Sequence, residues 1–217
     1  MPAIPKIVIP SILENSFEQF ASRLKAIEQV APLVEIDVMD GIFVDSQSFT
    51  DIEKINELNT PVKFQLHFMV ENPLAEIEKW KKIKNISRVI FHIESKSDPI
   101  SCLNAIRANC WQAGIALQTD TPLSAVAPYY NLIDAVMFML VKIGQQGGQL
   151  VTEAGEKIKE FAALPQRPLC AIDGGINKNN VQLVKDWGVE IFGIGSAIVK
   201  AENPKLAYQE FLSLIQK

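Results

Sequence analysis

Glu35 and Asp37 stand two residues apart in the run Glu35-Ile36-Asp37-Val38-Met39-Asp40-Gly41. In an extended strand that spacing sends both carboxylates to one side, and Ile36 and Val38 to the other. Gln65, His67 and Met69 alternate in the same way along a second apolar run. A third run ends Ala171-Ile172-Asp173-Gly174-Gly175, which sets Asp173 at a strand tip before a flexible turn. If the strands close into a ring, Asp37, His67 and Asp173 surround one mouth, where carboxylates and an imidazole can take up and release protons. Taken alone, Asp40 and Asp173, each before a glycine, read equally well as turn or helix caps. The chain's two histidines, His67 and His92, both fall at the ends of apolar runs. His92 reads first as a hydrogen-bonded core residue.

Glycines form a second set. Gly147-Gly148-Gln149, Gly174-Gly175 and Gly193-Ile194-Gly195-Ser196 follow or end three successive apolar runs. Backbone N–H groups exposed by glycines and by a helix start bind a phosphate dianion without any basic side chain. One such pair is ordinary punctuation between elements, but three in consecutive loops point to a phosphate cradle.

These residues need a scaffold that gathers strand ends. Runs rich in Ile, Val, Phe and Leu recur about every 20 to 30 residues, each followed by a polar cluster and an amphipathic segment. The expected strands are Lys6 to Ile9, Leu33 to Val38, Val62 to His67, Arg88 to Ile93, Gly114 to Leu117, Ala135 to Leu140, Pro168 to Ile172 and Ile191 to Ile194. Asn72-Pro73, Thr121-Pro122 and Asn203-Pro204 each set a capping side chain before a proline suited to a first helical turn. Gly188 is placed to end a helix before the last strand. Near-continuously apolar strands separated by helices predict an α/β fold, a single parallel (β/α)8 barrel over residues 1–217, with an open doubly wound sheet as the rival. In such a barrel chemistry sits at the C-terminal strand ends, where the carboxylates and glycines above fall.

Composition bounds the partners. The 217 residues are 48% hydrophobic and 21% charged, enough for one full core. A net charge of -4 offers no long-range attraction to nucleic acid or to an anionic membrane, so an anion site has to be built locally. Cys102, Cys110 and Cys170 have neither disulfide-framework nor zinc-ribbon spacing and read as buried thiols in a reducing compartment. Met1 to Leu13 lacks the apolar length of a signal peptide or membrane span, so a cytoplasmic protein is expected.

Pro10-Ser11-Ile12-Leu13, Ile36-Asp37-Val38-Met39-Asp40-Gly41, His67 followed by Met69-Val70-Glu71-Asn72-Pro73, Asp173-Gly174-Gly175-Ile176 and Gly195-Ser196-Ala197-Ile198 together resemble the ribulose-phosphate 3-epimerase family, in order and over nearly the whole chain. The resemblance implies a barrel of the ribulose-phosphate-binding type and one divalent metal ion held by two histidines and two aspartates. It also implies a small phosphorylated ketose as substrate and a homo-oligomer, dimer or hexamer. Carried over, it makes Asp37 and Asp173 the proton-transfer pair and Glu35, Asp37, His67 and Asp173 the metal ligands. Ser11, His67, Met39 and Met69 then contact substrate, and Gly147, Gly148, Gly175, Gly195 and Ser196 hold its phosphate. The implied reaction interconverts D-ribulose 5-phosphate and D-xylulose 5-phosphate.

Glu35 stands where the family pattern has histidine, Ile42 where it has histidine, Asp45-Ser46 where it has proline and asparagine, and Gln65 where an acidic residue is usual. The loop after the sixth strand keeps a glycine pair in Gly144-Gln145-Gln146-Gly147-Gly148 but lacks the usual proline and aromatic. Three carboxylates and one imidazole carry one more negative charge than two of each. That favours Mg, Mn or Fe(II) over softer choices, with Zn still admissible, and predicts a slower or differently selective enzyme. Other readings are an epimerase of a related ketose such as allulose 6-phosphate, a phosphosugar-binding protein with lost or altered catalysis, and a Glu35–Lys142 pair in place of a metal.

Overall fold

All eight apolar runs form strands in the computed structural model, which describes residues 5–49, 51–141, 143, 152 and 154–216. They are β1 Ile7–Ile12, β2 Leu33–Met39, β3 Lys63–Met69, β4 Ile86–His92, β5 Gln112–Leu117, β6 Ala135–Met139, β7 Leu169–Asp173 and β8 Ile191–Ile194. Neighbours in sequence pair in parallel and β1 also pairs with β8, closing the barrel. β1 runs on to Ile12 rather than stopping at Ile9, which brings Ser11 into register with Glu35 on β2.

Alternation along the strands makes two separate apolar cores. Ile9, Ile90, Ala116, Ala135, Met137, Met139, Ala171 and Ile191 fill the barrel interior. Val34, Ile36, Leu66, Phe68, Val89, Phe91, Ile115, Val136, Phe138, Ile172 and Phe192 face outward under the helices. Because both strand faces are buried, the sequence runs are continuously apolar where a half-exposed strand would alternate. Polar residues on the inner face are therefore exceptions, and they fall on β1, β2, β3, β4 and β7, with Gln112 at the base of β5.

The surrounding helices are α1 Phe17–Ile27, α2 Ile52–Glu57, α3 Pro73–Trp80, α4 Pro99–Ala108, α5 Ala154–Ala162, α6 Val181–Lys185, α7 Ser196–Val199 and α8 Pro204–Gln216. Asn72 caps α3 by accepting from the Ala75 amide at 3.2 Å, and Asn203 caps α8 by accepting from the Leu206 amide at 3.1 Å. Gly188, with φ of +90°, closes the turn after α6 as expected.

Two expectations fail. Thr121-Pro122 opens no α-helix: two 3-10 segments, Leu123–Ala125 and Ala127–Leu132, cross from β5 to β6, and the Thr121 hydroxyl donates to Glu94 in place of capping. Cys110 is exposed, whereas Cys102 and Cys170 are buried. It follows α4 in the left-handed region, φ +58°, with its amide bonded to Arg107 O as the chain turns into β5. Among the described residues no helix is long and apolar enough to cross a membrane.

Candidate active site

Register sets the polar residues in layers. Glu35 on β2 is the partner of Gln65 on β3, and one step nearer the mouth Asp37 is the partner of His67. Asp173 ends β7 beside Gly193 of β8, where an added Cβ would lie 3.0 Å from Asp173 Oδ1. The missing side chain is what gives that carboxylate its space.

The structure brings Glu35, Asp37, His67 and Asp173 together: one ligand atom from each lies within 4.8 Å of all the others. Ser11 Oγ donates to Asp37 Oδ2 at 2.5 Å. His67 Nδ1 lies 3.1 Å from Asp37 Oδ1 and 3.8 Å from Asp173 Oδ2. On its far side His67 Nε2 is 3.0 Å from His92 Nε2, and His92 Nδ1 is 3.2 Å from Glu94 Oε2. Glu94 also accepts from the Gln118 amide at 2.9 Å and from the Thr121 hydroxyl. His92 is thus the buried, hydrogen-bonded residue expected, but its partner belongs to the cluster.

Burial without enough cationic partners sets the electrostatics. Desolvation, then the neighbouring Asp37, pushes Asp173 up to about 7. Desolvation, then Asp173 and Asp37, holds Glu35 well above the usual carboxylate range. Burial opposes charge on His67, but the bond to Asp37 and the fields of Glu35, Asp37 and Asp173 outweigh it and raise the imidazole to about 9. Burial takes His92 down to about 4 against the pull of Glu94. Burial would raise Glu94, yet bonds from His92, Thr121 and the Gln118 amide hold it at about 2.

A divalent cation fits this donor set. Three carboxylates face a single imidazole, and the buried Glu35 Oε1 has no hydrogen-bond partner. A buried oxygen left without a partner is costly, and a cation among these four residues removes that cost.

Apolar side chains collar the cluster. Met39, Val44 and Met69 pack together, joined by Leu13, Phe43 and Ile143, and the Phe43 ring stands 5.2 Å from that of His92. Asp40 builds the loop that carries Phe43 and Val44: its carboxylate accepts from the amides of Ile42 at 2.8 Å, Phe43 at 2.9 Å and Glu71 at 2.7 Å. The capping reading therefore holds for Asp40, while Asp173 faces the cluster. Ile42 is 68% exposed.

Gly175 follows β7, and Gly195 and Ser196 join β8 to α7, all at the barrel end that carries Asp173. Gly174 and Gly175 take φ of +104° and +69°, and a Cβ on Gly174 would fall 2.5 Å from Val141 Cγ2. Gly147, Gly148 and Lys142 lie outside the described residues. Sequence reasoning missed Glu94, Phe43, Arg88 and Gln112. Parity along β4 carried a signal for one of them, since Arg88, Ile90 and His92 share a face.

Residues 7–199 match the model of the ribulose-phosphate 3 epimerase family. The chain is 29% identical to ribulose-phosphate 3-epimerase of Mycobacterium tuberculosis H37Rv over 213 residues, covering 93% of this chain and 89% of that one. It is 28% identical to the protein of the same name from Bacillus subtilis 168, covering 94% and 96% of the two chains. Among solved structures, 3-hexulose-6-phosphate synthase from Salmonella typhimurium superposes with a TM-score of 0.74 at 14% identity, covering 96% of this chain and 97% of that one. KGPDC from Streptococcus mutans superposes at 0.73 and 12% identity, covering 99% and 100%. Both likenesses establish the barrel fold.

Proposed function

The chain belongs to the ribulose-phosphate 3-epimerase family of isomerases, and from that premise we propose that it interconverts D-ribulose 5-phosphate and D-xylulose 5-phosphate by two-base proton transfer at C3. The observation that carries this reading is the pair Asp37 and Asp173, buried on different strands and both facing His67 Nδ1.

Inverting a carbon beside a carbonyl requires proton removal on one face and return on the other. Asp37, fixed by Ser11 and His67, takes the C3 proton. Asp173, on a different strand from Asp37, delivers a proton to the opposite face. A divalent cation held by Glu35, Asp37, His67 and Asp173 would stabilise the negative charge that develops on the C2 and C3 oxygens. Met39 and Met69, packed with Val44, keep water from the reacting carbon. The backbone N–H groups of Gly175, Gly195 and Ser196, with Gly147 and Gly148, receive the phosphate.

The test is proton exchange at C3, followed by NMR in D2O with ribulose 5-phosphate on protein supplied with Mn2+, Fe2+, Zn2+ or Mg2+. Deuterium incorporation with formation of xylulose 5-phosphate is expected, falling about 100-fold or more in Asp37→Asn and in Asp173→Asn. Absence of exchange with every metal sinks the proposal. Faster turnover of a 6-phosphate hexulose would reassign the substrate and leave the two-base chemistry in place.

A further inference from the structure

The layer beneath the cluster carries a row of polar side chains that the epimerisation chemistry does not use. Glu35, Gln65, Arg88 and Gln112 are successive register partners across β2, β3, β4 and β5. Gln112 is exposed at the barrel base, and the row runs inward from it to Glu35, which is fully buried. Arg88 donates from Nε at 3.1 Å and from Nη2 at 2.7 Å to Gln112 Oε1. From Nη1 it donates at 2.8 Å to Gln65 Oε1. Gln65 Nε2 in turn donates to Glu35 Oε2 at 2.5 Å.

Polarity along this row is fixed. A guanidinium only donates, so the Gln65 oxygen must face Arg88 and its amide nitrogen must face Glu35. One oxygen of Glu35 is thereby tied down, and the other, Oε1, is buried without a hydrogen-bond partner, on a residue that shares a four-residue cluster with Asp37, His67 and Asp173. A row serving only to satisfy a buried carboxylate would leave neither oxygen bare.

We propose that Arg88, acting through Gln65, is a positioning residue that holds Glu35 with Oε1 presented as a one-oxygen ligand to a divalent cation that favours oxygen donors. The proposal rests on the reading that the four-residue cluster takes a metal ion.

The test uses Mn2+ alone on the full chain stripped with chelator, reading free Mn2+ by EPR and thermal unfolding in parallel. Wild type binds Mn2+, and Glu35→Gln, Arg88→Met and Gln65→Met each weaken it about 10-fold or more, as loss of a ligand or its support does. Arg88→Lys, which keeps a donor and a charge, recovers most of the affinity. In the Glu35→Gln background Arg88→Met has no further effect, because its influence passes through Glu35. Should Arg88→Met fail to fold, Gln65→Met completes the same cycle, since Arg88 keeps its two bonds to Gln112.

Wild-type protein that binds no Mn2+, Glu35→Gln with unchanged affinity, or an Arg88→Met effect that persists without Glu35 overturns the proposal. Exchange at C3 with Mn2+ affinity indifferent to Glu35 would remove this inference and leave the epimerase. Mn2+ held through Glu35 without exchange would do the reverse.

Discussion

His67 and His92 meet nitrogen to nitrogen, Nε2 to Nε2 at 3.0 Å. Such a contact holds one proton. Glu94 accepts from His92 Nδ1, so that nitrogen carries the His92 proton, and His92 Nε2 must accept from His67. His67 Nδ1 then points at the carboxylates with its orientation set by a line that ends at Glu94, itself tied to Gln118 and Thr121.

Removing the end of that line strands His92 in the core. Glu94→Ala is expected to cost about 1–3 kcal/mol at neutral pH, the usual penalty for a buried polar group left without its partner. Glu94 is depressed from 4.5 to about 2, so its contribution is present above about 4.5 and is lost as pH falls toward 2. Urea unfolding of wild type and variant should therefore diverge at neutral pH and converge in acid. Equal destabilisation at both would refute the assignment.

Asp173 has the opposite sign. Raised from 3.8 to about 7, it favours the folded state below about 4, and that contribution is lost as pH rises through 7. His67, raised from 6.5 to about 9, adds a loss in the same direction over a higher window. Metal-free protein should consequently melt at a lower temperature at about pH 8 than at about pH 5. Mn2+ should narrow the gap by binding the ionised carboxylates. A chelated protein more stable at the higher pH would contradict this.

Gly193→Ala tests the space around Asp173. Its Cβ would lie 2.9 Å from Ile172 O and 3.0 Å from Asp173 Oδ1, so the carboxylate must move. The expected outcome is a folded barrel destabilised by about 1–3 kcal/mol with C3 exchange reduced far more than its stability suggests. Unimpaired exchange would mean that the carboxylate tolerates displacement.

Glu35→His replaces an oxygen donor with nitrogen. The ratio of Zn2+ to Mn2+ affinity should rise about 10-fold or more, because imidazole suits zinc and carboxylate suits manganese. Competition between the two ions on wild type and variant measures this directly, and an unmoved ratio would argue that position 35 does not touch the ion.

The barrel was legible because each strand buries both faces, which writes a continuous apolar run for each of β1 to β8. Glu35 and Asp37 could be assigned to one face by parity alone, since a period of two is a property of a single strand. The bond from Gln65 to Glu35 was not, because it depends on which residues neighbouring strands set side by side. Gln112 was passed over for the same reason, since register between strands is written in no local pattern; Arg88 could have been set on the face of His92 by parity, but not paired with Gln65 and Gln112. Thr121 failed as a cap through competition, its hydroxyl going to Glu94 from a distant loop. Cys110 misled because an apolar thiol suggests burial, whereas its position is decided by a left-handed turn.

Pairing of β1 with β8 leaves no strand of the ring with an outer edge. A free edge is where one chain recruits another by extending a sheet, and the closed ring has none to offer. Contact between copies would have to be made side chain to side chain, through helices and loops, where Ile100, Leu183, Leu206 and Leu214 are large apolar groups in water. Self-association would then be sensitive to single surface substitutions and indifferent to the order of the strands.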